Sequence, residues 1–162
     1  MELILIRHAD AKSGASYADD SMRSLTSRGR QVQEQVAKVL HRRGFEPDVI
    51  LCSPRLRAEQ TAWITAQVLP GEVPVIEVPE LDGGYDIHAF LKRLEAYLDC
   101  SSIACVGHEP DMTFWANQLL SDDQTEITGF SKSGVASIVF EDILEPGFGV
   151  CNYFYTADDL LL

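Results

Sequence analysis

Basic residues are in short supply in this chain: 13 lysines and arginines face 25 aspartates and glutamates over 162 residues, a formal net charge of -12. Such a surface suits nucleic acid poorly, because binding phosphate backbones takes clustered Lys and Arg. Long apolar runs are missing too. No stretch reaches the roughly 18 consecutive apolar residues that span a bilayer, and the amino terminus offers Glu2 and Arg7 where an export signal would be basic and then apolar, so a cytoplasmic location is expected. The four cysteines, Cys52, Cys100, Cys105 and Cys151, lack paired metal-ligand spacing and read as reduced thiols serving as small core hydrophobes. Repeats, low-complexity tracts, linkers and a Walker lysine loop are also absent. One domain over residues 1–162 is therefore expected, and a nucleotide-driven kinase is disfavoured.

What the chain does have is strands that end in chemistry. Leu3-Ile4-Leu5-Ile6 reads as a buried strand and stops at Arg7-His8-Ala9-Asp10. Val49-Ile50-Leu51-Cys52 stops at Ser53-Pro54 and passes into a helical pattern that carries Arg55 and Arg57. Ser102-Ile103-Ala104-Cys105-Val106 stops at Gly107-His108-Glu109-Pro110. In parallel α/β sheets ligands sit just beyond the carboxyl ends of the strands, so Arg7, His8, Arg57 and His108 are expected along one edge. Arginines at a helix amino terminus, where the macrodipole is already positive, ask for a bound anion. His108 alone would pass for an ordinary loop residue; its shared strand-end position singles it out.

The remaining pattern alternates. Thr26 can cap a helix running to Arg43, with Val32, Val36, Val39 and Leu40 at helical spacing and Gly44 at its end. Arg57 to Leu69 reads as a second helix, Val75 to Val78 as a short strand, Ile87 to Asp99 as a third helix and Asp111 to Leu120 as a fourth. Val135 to Phe140 and Val150 to Tyr155 form a hairpin around Pro146 and Gly147. The order βαβαβαβαββ implies an α/β fold of three layers, α/β/α, with a mainly parallel sheet and an antiparallel carboxy-terminal edge. Trp63 and Trp115 are expected in the core. The tail from Ala157 to Leu162 receives no function.

Together these stretches resemble the histidine phosphatase superfamily, which has the phosphoglycerate-mutase-like fold, and most closely its SixA-type subgroup of phosphohistidine phosphatases. The likeness runs over nearly the whole chain. Arg7-His8 resembles the family's Arg-His motif, with Ala9 keeping the next residue small where glycine is usual. Ser53-Pro54-Arg55-Leu56-Arg57-Ala58-Glu59-Gln60-Thr61 is similar, residue for residue, to the subgroup's Ser-Pro-x-x-Arg-Ala-x-Gln-Thr signature. That register gives Arg57 the catalytic arginine's place and leaves Arg55 in a variable one. Val106-Gly107-His108-Glu109-Pro110 resembles the second histidine motif, and Arg23-Ser24-Leu25-Thr26-Ser27-Arg28-Gly29 resembles an Arg-x-Leu-Thr-x-x-Gly stretch that adds Arg23 to the pocket.

The resemblance implies a phosphatase that needs neither metal nor cofactor. Neutral His8 attacks phosphorus in line with one ring nitrogen, the other being held by a nearby backbone carbonyl. A phosphohistidine forms on His8, Arg7, Arg23, Arg57 and a protonated His108 neutralise the equatorial oxygens, and water releases phosphate. Larger relatives place a general-acid glutamate two residues after a leucine beyond the third strand; counted from Leu81, that position is Gly83. Asp82 and Asp86 stand close enough in sequence to substitute, yet read equally well as solvated turn residues, and Glu80 can simply face water. A missing acid handicaps alkyl phosphates, whose alkoxide leaves poorly, far more than phosphohistidine, whose imidazole has a pKa near ~6.5. Only eight residues, Pro79 to Asp86, separate the third strand from the third helix, which leaves no room for a lid. The expected substrate is thus a phosphorylated histidine on a partner protein such as a phosphotransfer domain, with neither nucleic acid nor membrane as partner. Two alternatives stay open: a small-molecule phosphomonoesterase using Asp82 or Asp86 as acid, and a non-catalytic phosphate-binding module, for which a nucleophile would be superfluous.

Overall fold

The computed structural model describes residues 1–84 and 86–162. Strand β1 (Glu2–Arg7) buries Leu3, Ile4, Leu5 and Ile6 completely, Leu3 and Leu5 into one apolar cluster, Ile4 and Ile6 into another. A strand covered on both faces has no reason to alternate with polar residues, which explains the unbroken apolar run. Helix α1 (Ser27–Arg42) starts where Thr26 accepts a hydrogen bond from Gly29 N, and ends where Gly44 takes φ +94°. Then come β2 (Val49–Cys52), α2 (Leu56–Val68), β3 (Val75–Glu77), α3 (Ile87–Leu94), β4 (Ser102–Gly107), α4 (Asp111–Leu119), β5 (Val135–Val139), β6 (Val150–Tyr155) and α5 (Ala157–Leu161).

The strands lie in the order β3-β2-β4-β1-β5-β6, parallel from β3 to β1 and antiparallel beyond it. Helices α1, α2 and α5 pack on one face through Val36, Leu40, Ala58, Ala62, Ala66, Ala157 and Leu160. Helices α3 and α4 pack on the other through Phe90, Leu94, Met112, Trp115 and Leu119, with the Phe90 and Trp115 rings stacked 4.4 Å apart. The result is the three-layer α/β/α arrangement with an antiparallel edge. Among the described residues no helix is long and apolar enough to cross a membrane. All four cysteines are free thiols, Cys52 and Cys105 buried, Cys100 and Cys151 half-buried.

Two expectations need correction. Trp63 is not a core residue: it is 49% exposed, because α2 meets the sheet through a close-fitting stripe of Ala58, Thr61, Ala62, Thr65 and Ala66 that turns Trp63 outward. The third helix does not reach Asp99. Its buried stripe of Ile87, Phe90 and Leu94 ends with α3, and the chain tightens into a 3-10 turn over Glu95–Tyr97, leaving Leu98 exposed. The tail docks as α5, with Ala157 and Leu160 buried and a reciprocal Thr156–Asp159 cap at its start.

Candidate active site

Three neighbouring strands, β2, β4 and β1, end at one level. Arg7 pairs in register with Gly107, and Cys52 with Val106. Sheet-like hydrogen bonding continues one residue further, His8 N to Gly107 O at 3.1 Å and Ser53 N to Val106 O at 3.0 Å. His8, Ser53 and His108 are thereby brought side by side, and the two imidazole rings lie 5.1 Å apart between centroids, tilted by 58°.

His8 is buried, and its Nδ1 stands 2.7 Å from the Ala9 carbonyl oxygen. A carbonyl can only accept, so Nδ1 carries the proton and Nε2 the free lone pair. Burial, with the nearby charges of Arg57, Arg7 and Lys132, lowers the His8 pKa to about 4 against the pull of the Ala9 bond. The ring is neutral near pH 7, as a nucleophile must be.

The loop that holds Ala9 is itself held by α2 and α1. Thr61 Oγ1 accepts from Ala9 N at 3.0 Å and donates to Arg57 O at 2.6 Å, while Gln60 Oε1 accepts from Leu25 N at 2.9 Å. The Gln-Thr end of the signature stretch is therefore scaffolding that ties the loop after His8 to the arginine helix. Gly29 serves the same loop from α1: a Cβ there would stand 2.2 Å from Asp10 O, so only glycine permits the approach. The Asp10 carboxylate accepts from Thr26 Oγ1 at 2.9 Å and pairs with Lys132, which holds it below the usual carboxylate range.

His108 Nε2 lies 2.8 Å from Ser53 Oγ, and its buried Nδ1 has no hydrogen-bond partner among the described residues. Burial, followed by the positive neighbours His8, Arg57 and Arg55, lowers its pKa to about 3. Burial among cationic side chains thus holds His108 neutral, and its protonated form is favoured only beside a negative charge, which is where the sequence reading put it.

The arginines come from the end of β1 (Arg7), the turn before α1 (Arg23) and the start of α2 (Arg55 and Arg57). Arg57, 6% exposed, donates from Nη1 to the Asp20 backbone oxygen at 3.0 Å and from Nη2 to Asp20 Oδ2 at 3.1 Å. Arg23 donates to Asp20 Oδ1 at 3.1 Å and through Nε to Lys12 O at 2.8 Å. Arg7 donates from Nη1 to Phe130 O at 2.8 Å, and its buried Nε has no partner among the described residues. Glu109 fastens that loop by accepting from Phe130 N at 2.7 Å and Thr113 Oγ1 at 2.8 Å. Arg55, read from sequence as a variable position, bridges two rims: Nη1 to Asp20 Oδ2 at 2.9 Å and Nε to Asp82 Oδ1 at 2.6 Å.

The carboxylates near the missing acid separate clearly. Asp82 Oδ1 accepts from Arg55 and from Ser53 Oγ, the latter at 3.4 Å, so Asp82 belongs to the rim of the site. Asp86 does not: it caps α3, accepting from Ala89 N at 2.8 Å. Glu80 pairs with Arg93 through two 3.0 Å bonds. Sequence reasoning missed Asp111, whose Oδ2 lies 3.6 Å from where a Cβ on Gly83 would stand; burial pushes its carboxyl pKa up against the pull of the Gly84 amide. It also missed Asp20, Ser53 and Glu109. Ser53 and Glu109 were detectable as members of the two strand-end motifs; Asp20 carried no signal beyond lying three residues before Arg23.

Comparison with known proteins identifies the family and the fold. A model of the histidine phosphatase superfamily (branch 1) matches residues 3–83. An uncharacterized protein of Picosynechococcus is 35% identical over 141 residues, covering 85% of this chain and 84% of that one. Phosphohistidine phosphatase SixA of Escherichia coli K12 is 29% identical over 157 residues, 94% of this chain and 92% of its own. The solved structure of the protein histidine phosphatase SixA complexed with tungstate superposes with a TM-score of 0.85 at 27% identity, covering 99% of both chains. The fold is the phosphoglycerate-mutase-like one.

Proposed function

This chain belongs to the histidine phosphatase superfamily, whose members are phosphatases, and from that premise we propose that it removes phosphoryl groups from histidine side chains of a partner protein. His8 Nε2 attacks phosphorus; the new N–P bond forms as the bond to the substrate imidazole breaks, and that imidazole, already carrying a solvent-derived proton on its other ring nitrogen, leaves as the neutral base. Arg7, Arg23 and Arg57 bind the equatorial oxygens, and the arriving dianion favours protonation of His108, whose added charge falls on the same oxygens. Water then forms a P–O bond as the His8–phosphorus bond breaks, His8 returns to its neutral Nδ1–H form, and phosphate departs with both of the water's protons.

The observation that carries the substrate class is the state of the carboxylates. Asp82 is engaged by Arg55 and Ser53, Asp86 is spent as a helix cap, and Gly83 has no side chain. Neither candidate acid is placed to hand a proton to an alkoxide, whereas imidazole, with a pKa of about 6.5, leaves with little help. The test is a comparison of leaving groups. A phosphohistidine protein and aryl phosphates should be hydrolysed and alkyl phosphates barely, and the double variant D82N/D86N should keep phosphohistidine turnover within about tenfold of the parent, since general-acid help worth ~10²–10⁴ is not in use. Sugar phosphates turned over as fast as phosphohistidine, with that activity lost in the double variant, would overturn the proposal.

One observation favours a second reading, a phosphomonoesterase for small molecules. Asp111 lies beside the Gly83 position and its carboxyl is raised towards the protonated form. In that case Asp111→Asn abolishes alkyl phosphate hydrolysis while sparing phosphohistidine, a result that separates the two substrates by one side chain.

A further inference from the structure

Three guanidinium groups converge on a single carboxylate. Asp20 Oδ1 takes Arg23 at 3.1 Å; Oδ2 takes both Arg55, at 2.9 Å, and Arg57, at 3.1 Å. This is the arrangement a phosphoryl group would claim, since arginine forks match planar or tetrahedral oxyanions and the three charges want compensation. Yet the two sides of the contact are unlike. The Arg57 side chain is 7% exposed and locked in place, whereas that of Asp20 is 52% exposed at the tip of a 3-10 turn over Asp20–Met22. The backbone of that turn is anchored independently of the carboxylate: the Asp20 carbonyl accepts from Arg57 Nη1 at 3.0 Å and from Arg23 N at 3.2 Å, and the Asp19 side chain caps Ser21 N at 2.9 Å. The side chain can therefore swing away by χ rotation while the turn stays seated.

We propose that Asp20 is a resident counter-anion of the arginine cluster, displaced by the incoming phosphoryl dianion, and that this exchange sets which anions the site binds and how readily it lets phosphate go. The proposal rests on reading this edge as a phosphoryl site. A singly charged carboxylate with two oxygens, half in water, is a weak competitor; a phosphoryl group brings about two charges and three oxygens. Dianions win the exchange and monoanions such as acetate or chloride do not. After hydrolysis the same carboxylate stands ready beside the product, so that its return to Arg55 and Arg57 aids release of phosphate. In the empty site it spares the three guanidinium groups an uncompensated mutual repulsion.

Calorimetric binding of inorganic phosphate and of tungstate to the intact protein tests this without reference to any substrate. Asp20→Asn should bind both about three- to tenfold more tightly than the parent, the range expected from removing three competing ion pairs to one half-exposed carboxylate. Asp19→Asn, which removes the same charge from the same turn without touching an arginine, should change affinity less than twofold. In turnover assays Asp20→Asn should show product inhibition strengthened by the factor seen in binding. A melting measurement guards against a merely structural effect: Asp20→Asn should melt below the parent in anion-free buffer and draw level when phosphate is added. Equal or weaker oxyanion binding by Asp20→Asn, or an equal gain in Asp19→Asn, overturns the proposal while leaving the phosphoryl site intact. Failure of the parent itself to bind either anion overturns both.

Discussion

A histidine that attacks phosphorus needs a bare lone pair near neutral pH, and burial together with the Ala9 carbonyl gives His8 one on Nε2. His8→Ala should accordingly abolish turnover while phosphate still binds through the arginines. Quenching the parent without acid should trap an acid-labile, base-stable phosphoryl group on His8; a label elsewhere removes the assignment. The two signature arginines should differ in weight. Arg57→Ala is expected to lose ~3 kcal/mol or more of transition-state stabilisation, as for a preorganised charged donor. Arg55→Ala removes half-exposed pairs to Asp20 and Asp82 and should cost about tenfold or less in kcat/KM. Equal losses would mean that the register is wrong. Stability carries a signature as well. The pKa values of His8 and His108 are depressed from 6.5 to about 4 and about 3, so the unfolded chain binds more protons than the folded one in between. Their stabilising contribution is complete above pH 6.5 and is lost as pH falls through the folded values. The melting temperature should fall between pH 6.5 and 4.5 in the parent and less steeply in H8N/H108N. Arg7, His8, Arg57 and His108 were legible in the sequence because each ends or follows an apolar strand. Asp20 and Asp111 were not, since a carboxylate that faces arginines and one that faces water are written alike.

At the scale of elements, the signature helix α2 works as a bracket. Its Thr61 hydroxyl stands between Ala9 N and Arg57 O, so one side chain fixes the loop after His8 to the first turn of α2. Thr61→Val keeps the shape and strands a buried amide, which should cost about 1–3 kcal/mol of stability by chemical denaturation and lower kcat more than it raises KM. An unchanged kcat would show that the loop holds its position unaided. The elements themselves were legible wherever a strong period met a punctuating residue: Thr26 and Gly44 bounded α1, and the hairpin strands flanked Pro146-Gly147. Prediction went astray where tertiary packing overrode local pattern. Leu98 continued the helical spacing after the core had ended, and Trp63 looked apolar enough to bury although α2 approaches the sheet too closely to admit it. The segment that carries Asp20 has no period at all. Its 3-10 turn over Asp20–Met22 is seated by the Asp19 cap and by Arg57 on the Asp20 carbonyl, the second a contact that no local pattern encodes.

For the molecule as a whole, the parallel sheet and the three layers followed from element order, but the strand order did not. Strand β4 inserts between β2 and β1, both of which precede it in the chain. Its residues Ile103 to Val106 are wholly buried, so Ile103→Ala should cost about 2–5 kcal/mol. In this variant urea unfolding should remove secondary structure and phosphate binding together, because the site has no existence apart from the sheet. The insertion has a consequence in time. Arg7, His8, Arg23 and Arg57 are all made early, and the residue that completes them, His108, arrives only when a late strand wedges into a gap between early ones. Closing so distant a pairing is slow. A chain still short of residues 102–108 therefore lacks both the strand that joins β1 to β2 and His108 itself, so the sheet and the site are completed by the same stretch of sequence.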